Sequence, residues 1–495
     1  MSGVIDSQLD DSVRWHREHR DERENTEGIP PASEEIRHEC VWVVEAYPPS
    51  TVDSLVEGLR KNGFDVPEFI HTSNTITWLI DSRRDSLFGG GWANLSVIGP
   101  PNQKSWMPYR AMKLPEGVQY VQGGLHQALP SVTFALFQFV LTAPLDCAVE
   151  NGLRRRYESF AEHIPGGYIV HSPTNQRIQA VRQARLSLLD SCTEWVATHF
   201  PGFFSRTHTS ARRTFPTCEL ITLKEQCAFE VDRSLAPSDY RRIIGIDRGI
   251  DAWESSEISG LRLGQPLDRW HGDQPWSWIL AGRWSEIFSD EQLSGFAGGR
   301  SREGITGRLW MTVDRTLTML ALWALLHEWA TRLAIQRDEV ARFTSPNDLQ
   351  QLLRFQAELG SQHGSLLPIL HEVDRLAEDE SLFMYDLCKL SPTAHSLDDR
   401  KPLFVWMREN IKNRTEILRE REAAIRQSIA ITTQTLQAVT QEELAAVNLR
   451  LQRSMAWLTG IGIVVAIVAL IVGLPAAVPK WGDWLLKLAT LTAGR

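Results

Sequence analysis

An uncharged stretch near the C-terminus constrains this chain more than any other feature. Residues 454–479 carry no charge, in a 495-residue chain of which 23% is charged. As a helix, residues 455–478 would be about 36 Å long, enough to cross a hydrocarbon core of about 30 Å. The alternative, a buried core helix, is disfavoured because such a helix normally keeps a polar face. The sequence therefore predicts a transmembrane helix over residues 455–478.

The flanking sequence suggests a topology. The first eleven residues, MSGVIDSQLDD, lack the basic and apolar regions of a signal peptide, so we expect a cytoplasmic N-terminal head. Residues 479–495 are too few and too charged for a second crossing. Trp481 and Trp484 in this interfacial tail are typical of anchors at the membrane–water boundary. We therefore expect a single-pass protein of the cell membrane.

Composition and motifs narrow the function class. A net charge of −9 argues against a nucleic-acid partner, because phosphate backbones bind clustered Lys and Arg. Six cysteines without a CxxC pair indicate a reducing compartment and give no zinc framework. No P-loop, HExxH or GxSxG motif occurs, so no catalytic or cofactor-binding residue is named and metal ligands stay unassigned. An enzyme with an unrecognised site remains open, since catalytic residues can converge in space.

Changes in composition divide the chain. We expect an α+β fold: a cytoplasmic α/β head with a mixed sheet, a helical bundle, and a long stalk helix continuing into a single C-terminal transmembrane helix. The expected parts are a disordered charged arm (1–35), the α/β head (36–240), an irregular Trp- and Gly-rich connection (241–305), a helical bundle region (306–400), the stalk helix (403–454), the transmembrane helix (455–478) and the interfacial tail (479–495).

Within the head and bundle, β-branched and aromatic runs predict strands, and 3.6-residue periodicity predicts helices. The expected strands are 40–46, 75–80, 118–121, 133–141 and 218–223. The expected helices are 51–61, 176–200, one beginning at Arg308 and one over 348–377. Ser50 is the expected N-cap of the first helix, Asn62-Gly63 its terminator, and Gly123-Gly124 the turn between two strands.

The stalk carries a single apolar stripe. Between Pro402 and Gly460 there is no Pro and no Gly, so one unbroken helix is expected. The steps of the stripe average about 3.65 residues, close to a straight α-helix. Its stalk-packing positions are Ile411, Leu418, Ile425, Ile429, Leu436, Leu444, Val447 and Leu451. We interpret the stripe as a seam between copies of the chain; the alternative is that the stalk packs only on its own head.

The same stripe continues through the predicted membrane helix. Its membrane-packing positions are Gly462, Ala466, Ala469 and Gly473. Small residues allow close approach of helix backbones in lipid, although such residues are also routine in membrane helices. The expected partners are therefore membrane lipid and further copies of this chain, in a homo-oligomer.

This order of parts resembles the CorA family of divalent-cation channels. The stretch NLRLQRSMAWLTGIGIVVAIVALIV (448–472) is similar to the passage of that family's long helix into the bilayer. The resemblance implies a cytoplasmic head, a homopentamer, a pore-lining long helix and a divalent cation as the transported ion. The chain departs from the family where GLPAAVP (473–479) stands in place of the Gly-Met-Asn signature, and in having one predicted span.

Two hypotheses follow for function. In the first, a non-catalytic, membrane-anchored homo-oligomer senses a ligand or partner through its head, and the stalk transmits that state to the membrane helices, with a pore or membrane disturbance as output. In the second, the span is a passive anchor for a cytoplasmic enzyme or binding module.

Overall fold

A computed structural model describes most of the chain. The described residues are 2–65, 74–85, 91–100, 109–143, 147–165, 167–206, 214–229, 239–247, 252–265, 276–295, 298–345, 348–363, 366–378, 389–393 and 401–492. Within these ranges, side chains are described except at 2–10, 85, 294, 361–363, 471, 473–486 and 488–492. The chain forms two compact units, the first of Met1–Ala334 with Ser361–Glu422 and the second of Ile335–Gly360 with Ala423–Arg495.

The helices and strands have the following bounds. The helices are α1 (Ser2–His19), α2 (Asp21–Gly28), α3 (Val52–Lys61), α4 (Thr75–Asp85), α5 (Ala148–Arg154), α6 (Pro173–His199), α7 (Phe203–Arg206), α8 (Tyr240–Ile243), α9 (Trp284–Ile287), α10 (Arg302–Val340), α11 (Leu349–His363), α12 (Leu366–Glu378) and α13 (Leu403–Thr492). The strands are β1 (Ile36–Tyr47), β2 (Gly91–Gly99), β3 (Tyr109–Ala111), β4 (Val118–Leu129), β5 (Val132–Leu141), β6 (Phe160–Ile164), β7 (Gly167–His171), β8 (Thr217–Leu223), β9 (Ala252–Ser255), β10 (Arg262–Gly264), β11 (Ser277–Arg283) and β12 (Leu390–Pro392).

The first unit is built on a ten-stranded mixed sheet. Its strand order is β12-β9-β10-β11-β8-β1-β5-β4-β2-β3. The β11–β8 and β2–β3 pairs are parallel, and the other neighbours in this order are antiparallel. Every residue of β5 and β8 is buried, which explains their nearly uninterrupted apolar runs. The predicted α+β class with a mixed sheet is confirmed.

A buried ion pair joins α6 to the centre of this sheet. The Arg185 guanidinium donates to both carboxylate oxygens of Glu219, with Nη2 2.5 Å from Oε1 and Nε 3.0 Å from Oε2. Arg185 Nη1 donates to the carbonyl of Ile244, and His38 Nδ1 lies 3.4 Å from Glu219 Oε2. Burial opposes ionisation of Glu219, but Arg185 outweighs it and lowers the pKa of the carboxyl to about 2.

The predicted disordered arm is helical in the structure. Asp21 accepts hydrogen bonds from the Ser159 amide and hydroxyl. Asn25 bonds the backbone of Tyr157 in both directions and accepts from Arg177. The arm prediction is therefore wrong for α1 and α2, because long-range polar contacts replace the apolar periodicity that these segments lack.

This docking gives a testable stability effect. We expect Asp21→Ala to lower the free energy of unfolding by about 1–3 kcal/mol, because it leaves the buried Ser159 amide without its acceptor. Asp11, an exposed carboxylate of α1, provides the control, and Asp11→Ala should change stability by less than about 0.5 kcal/mol. Chemical denaturation of the two variants measures this, and equal effects would contradict the docked arrangement.

Several local predictions are confirmed. Strands β1, β5 and β8 include 40–46, 133–141 and 218–223, and α3 and α6 match the first two expected helices. Gly63 has a φ of 77° after α3, as expected for a left-handed terminator. The helix expected from Arg308 also exists and begins earlier, at Arg302.

Other local predictions are wrong. Residues 75–80 lie in helix α4; Asn74 Oδ1 accepts from the Thr77 amide at 2.7 Å, an N-cap signal that outweighs the β-branched residues. Thr51, not Ser50, precedes α3 and makes no side-chain cap. Gly123 and Gly124 lie inside β4, and a Cβ on Gly124 would come 2.7 Å from the Trp310 ring. This pair therefore admits a bulky neighbour instead of forming a turn.

The bundle and connection predictions also need correction. Residues 241–305, expected to be irregular, contribute β9, β10 and β11 to the main sheet. The single helix expected over 348–377 is two helices, α11 and α12. Helix α13 extends through the residues of the predicted interfacial tail as far as Thr492, and their placement at a membrane surface stays a prediction.

Candidate functional site

The candidate site is α13, a 90-residue helix that begins against the sheet of the first unit. Its first turn lies in a cluster of five tryptophans. These are Trp253 of β9, Trp276 just before β11, Trp278 of β11, Trp323 of α10 and Trp406 of α13.

Ring contacts hold this tryptophan cluster together. The Trp406 ring centroid is 5.3 Å from that of Trp253 and 5.4 Å from that of Trp323. Trp253 Nε1 also donates to the carbonyl of Lys401, just before the helix begins. Each aromatic pair contributes about 0.5–1.5 kcal/mol beyond its buried area, so the start of α13 is fixed to the sheet. The density of tryptophan in 270–284 was visible in the sequence, but the convergence of these five was not.

A polar group borders the tryptophan cluster. Trp276 Nε1 donates to Glu328 Oε1 at 3.2 Å, and the Trp276 ring lies edge-on to His327 at 4.7 Å. Burial lowers the pKa of the His327 imidazole, and the nearby Arg414 and Arg421 guanidinium groups lower it further. His327 is therefore neutral at pH 7. His327 and Glu328 therefore belong to a packed junction between α10, the start of β11 and the start of α13.

The apolar stripe of α13 divides into two parts. Its first part is buried within the chain: Ile411, Leu418, Ile425, Ile429 and Leu436 are at most 5% exposed. Its second part is open, with Leu444 58%, Val447 49% and Leu451 55% exposed. Packing within the chain therefore accounts for the first part, and the described residues leave the second part uncovered.

The exposed part of α13 continues into the predicted membrane helix. Among its described side chains, the large apolar residues from Met455 to Val472 are 46–74% exposed. Gly462, Ala466 and Ala469 are exposed on the same helix. Gly473, Trp481 and Trp484 lie in the helix, but their side chains are outside the described set.

Two helices of the described chain are long and apolar enough to cross a membrane. The apolar 18-residue stretch of Arg302–Val340 is 72% buried inside the protein. This identifies α10 as a core helix, as the bundle prediction requires. The apolar 18-residue stretch of Leu403–Leu470 in α13 is 0% buried and has a mean hydropathy of 1.8. Apolar side chains exposed on this scale require a cover of lipid or protein, so α13 is compatible with a membrane span.

Outside α13, the described residues form few clusters of side chains that could bind a ligand or react. They contain no group of three or more His, Cys, Asp or Glu side chains that could hold a metal ion. The five described cysteines, Cys218 and Cys227 among them, form no disulfide with one another. A shallow cleft between Arg37, Lys224 and Trp284 is bordered by a cation–π contact of Arg37 with the Trp284 ring.

No protein-family model, curated protein or solved structure matches this chain.

Proposed function

We propose that this chain is a membrane-anchored homo-oligomer in which α13 connects a cytoplasmic head to a single membrane span. The observation that carries the proposal is a contrast along one continuous helix. The first apolar residues of α13 are buried within the chain, whereas its most apolar 18-residue stretch is 0% buried. An apolar helix of that length in water would cost about 25 cal/mol for each Å² of apolar surface exposed. Lipid removes that cost for the uncharged segment.

The seam between copies belongs to the second part of the stripe. Thr440, Leu444, Val447 and Leu451 share one face of α13, since steps of three and four residues return to the same side of a helix. The exposed Glu442, Glu443, Arg450 and Arg453 make lipid an unsuitable cover for this stretch. A second copy crossing the membrane in the same direction would present the identical stripe in parallel. Self-association there buries the leucines that the chain leaves open.

The head then has a mechanical route to the span. The tryptophan cluster fixes the start of α13 to β9, β11 and α10, so a change in that sheet edge would displace the helix as a rigid element. In the membrane, Gly462, Ala466 and Ala469 would allow close helix contact. A pore between these helices, the output implied by the resemblance to CorA channels, belongs to this proposal. It is tested by flux of a divalent cation into vesicles that contain the protein.

The oligomer predicts a selective effect of substitutions on the seam. We expect Leu444→Ser with Leu451→Ser to convert the oligomer to monomer, because each fully buried leucine contributes about 1.5–3 kcal/mol per copy. Native mass spectrometry in detergent measures the subunit number. Leu449 is equally exposed at 55% but lies about 140–160° around the helix from Leu444 and Leu451, so Leu449→Ser is the matched control and should leave the oligomer intact.

A wild-type chain that is monomeric in detergent and in lipid nanodiscs would contradict the oligomer. It would leave the second function, a head that is passively tethered to the membrane. The burial of Ile411 to Leu436 within the chain favours that alternative for the first part of the stalk, which is why the test uses Leu444 and Leu451.

A further inference from the structure

A positively charged group lies where α10 packs beside the first turns of α13 in the first unit. Arg421 Nη1 donates to the carbonyl of Ala330 at 2.7 Å. Arg414 lies seven residues earlier on α13, two turns away on the same face. His327 lies three residues before Ala330 and therefore on the same side of α10. These residues bring two guanidinium groups and an imidazole to one region.

The electrostatics of the three groups agree with this placement. Burial lowers the pKa of Arg414, and the nearby Arg421 lowers it further. The same two arginines depress the pKa of His327 after burial has done so. The repulsion between these cations is a cost that the fold carries.

The neighbouring acids do not neutralise Arg414 and Arg421 directly. Glu328 Oε1 accepts from Trp276 Nε1, and the charge of Glu328 favours protonation of Arg332, which stacks over the Phe203 ring at 4.1 Å. Glu422, the next residue after Arg421, is buried and has interactions of its own. Among the described residues, neither Arg414 nor Arg421 lies within ion-pair distance of a carboxylate.

We propose that Arg414 and Arg421, with His327 on the facing helix, form a binding site for a phosphate group. Guanidinium groups suit this ligand because their planar N–H donors match phosphate oxygens in pairs. Two arginines separated by two helical turns reach one tetrahedral anion from both sides with their long side chains. A dianion there relieves the repulsion between the cations. Arg414 is half-buried, and partial burial of its guanidinium strengthens the attraction relative to open water.

The proposed site also has a neighbour that would respond to binding. His327 contacts the Trp276 ring, and Trp276 belongs to the tryptophan cluster that surrounds the start of α13. An anion at this site therefore acts next to the junction of sheet and stalk. Binding itself depends neither on a membrane span nor on self-association, so its failure and the failure of the proposed function are distinguishable.

The test uses the full chain in nanodiscs of neutral phosphatidylcholine, titrated with inorganic pyrophosphate by calorimetry at constant ionic strength. We expect saturable binding by the wild-type chain. Arg414→Gln with Arg421→Gln should weaken it by about 100-fold, because two charge-assisted contacts are lost. Lys412, an exposed cation of the same helix, gives the control, and Lys412→Gln should change the affinity by less than about twofold.

A second arm distinguishes the sources of the phosphate group. Nanodiscs that contain phosphatidic acid and no soluble phosphate replace the neutral ones. A shift in Trp fluorescence that requires Arg414 and Arg421 would assign the site to a lipid headgroup, whereas binding of pyrophosphate in neutral nanodiscs assigns it to a soluble phosphate. Absence of both responses in the wild-type chain, or equal responses in the double arginine variant, would overturn the site.

Discussion

Aspartates placed at Val464 and Val468 should move this protein out of the membrane fraction. Both valines are more than half exposed in the apolar part of α13, and they lie off the face of Gly462 and Ala466. An aspartate near the middle of a membrane helix costs about 2.5–3.5 kcal/mol. The two together would lower insertion by several thousandfold, because about 1.4 kcal/mol corresponds to a factor of ten.

Fractionation of cells followed by extraction at high pH measures this effect. We expect Val464→Asp with Val468→Asp in the soluble or aggregated fraction, and Val464→Leu with Val468→Leu in the membrane. The matched control places the same charges earlier on the helix, as Ile431→Asp with Val439→Asp, at positions that are 55% and 37% exposed and outside the predicted span. A double aspartate variant at 464 and 468 that resists extraction would rule out α13 as the anchor.

The sequence predicted those parts of the fold in which one local pattern decides the structure. The uncharged run and the absence of Pro and Gly over 403–459 fix a long helix, since few other structures accept such a segment. The strands around Val41, Phe137 and Leu220 carry β-branched and aromatic runs that both faces of the sheet bury. In each case the signal lies within one continuous stretch of the sequence.

The remaining features depend on contacts between distant residues. Asp21 belongs to the segment predicted as a disordered arm, and its burial depends on Ser159, a partner 138 residues away in the chain. The stripe of α13 is uniform in the sequence, because an apolar face has the same composition whether it packs on its own chain or on a copy. The change from buried Leu436 to exposed Leu444 is therefore visible only in the folded chain. Arg414 and Arg421 give no motif, since their neighbour His327 comes from another helix.

The largest effect on folding should come from Arg185. Replacing it by methionine leaves the Glu219 carboxylate fully buried, and His38 is then its remaining ion-pair neighbour among the described residues. Breaking a buried pair on one side costs about 3–5 kcal/mol, because the remaining charge is desolvated without compensation. We expect Arg185→Met to lower the denaturant midpoint of the full chain accordingly, as measured by near-ultraviolet circular dichroism in detergent.

The dependence on pH separates lost charge pairing from lost packing. Arg185 holds the folded-state pKa of Glu219 near 2, below the ordinary value of 4.5, so the stabilisation by the pair is complete above pH 4.5 and disappears as the pH falls towards 2. The difference between wild type and Arg185→Met should therefore shrink on acidification. A purely steric defect would persist at every pH.

Two further variants make this prediction specific. Arg185→Met with Glu219→Leu removes both charges from the sheet and should recover most of the stability, because a buried pair can often be replaced by apolar residues without loss. Arg156 and Glu22 form an ion pair of which the side chains are 63% and 79% exposed. Arg156→Met should change stability by less than about 1 kcal/mol, because solvent screens that pair. If Arg156→Met were as damaging as Arg185→Met, burial of the Glu219 charge would not be the source of the effect.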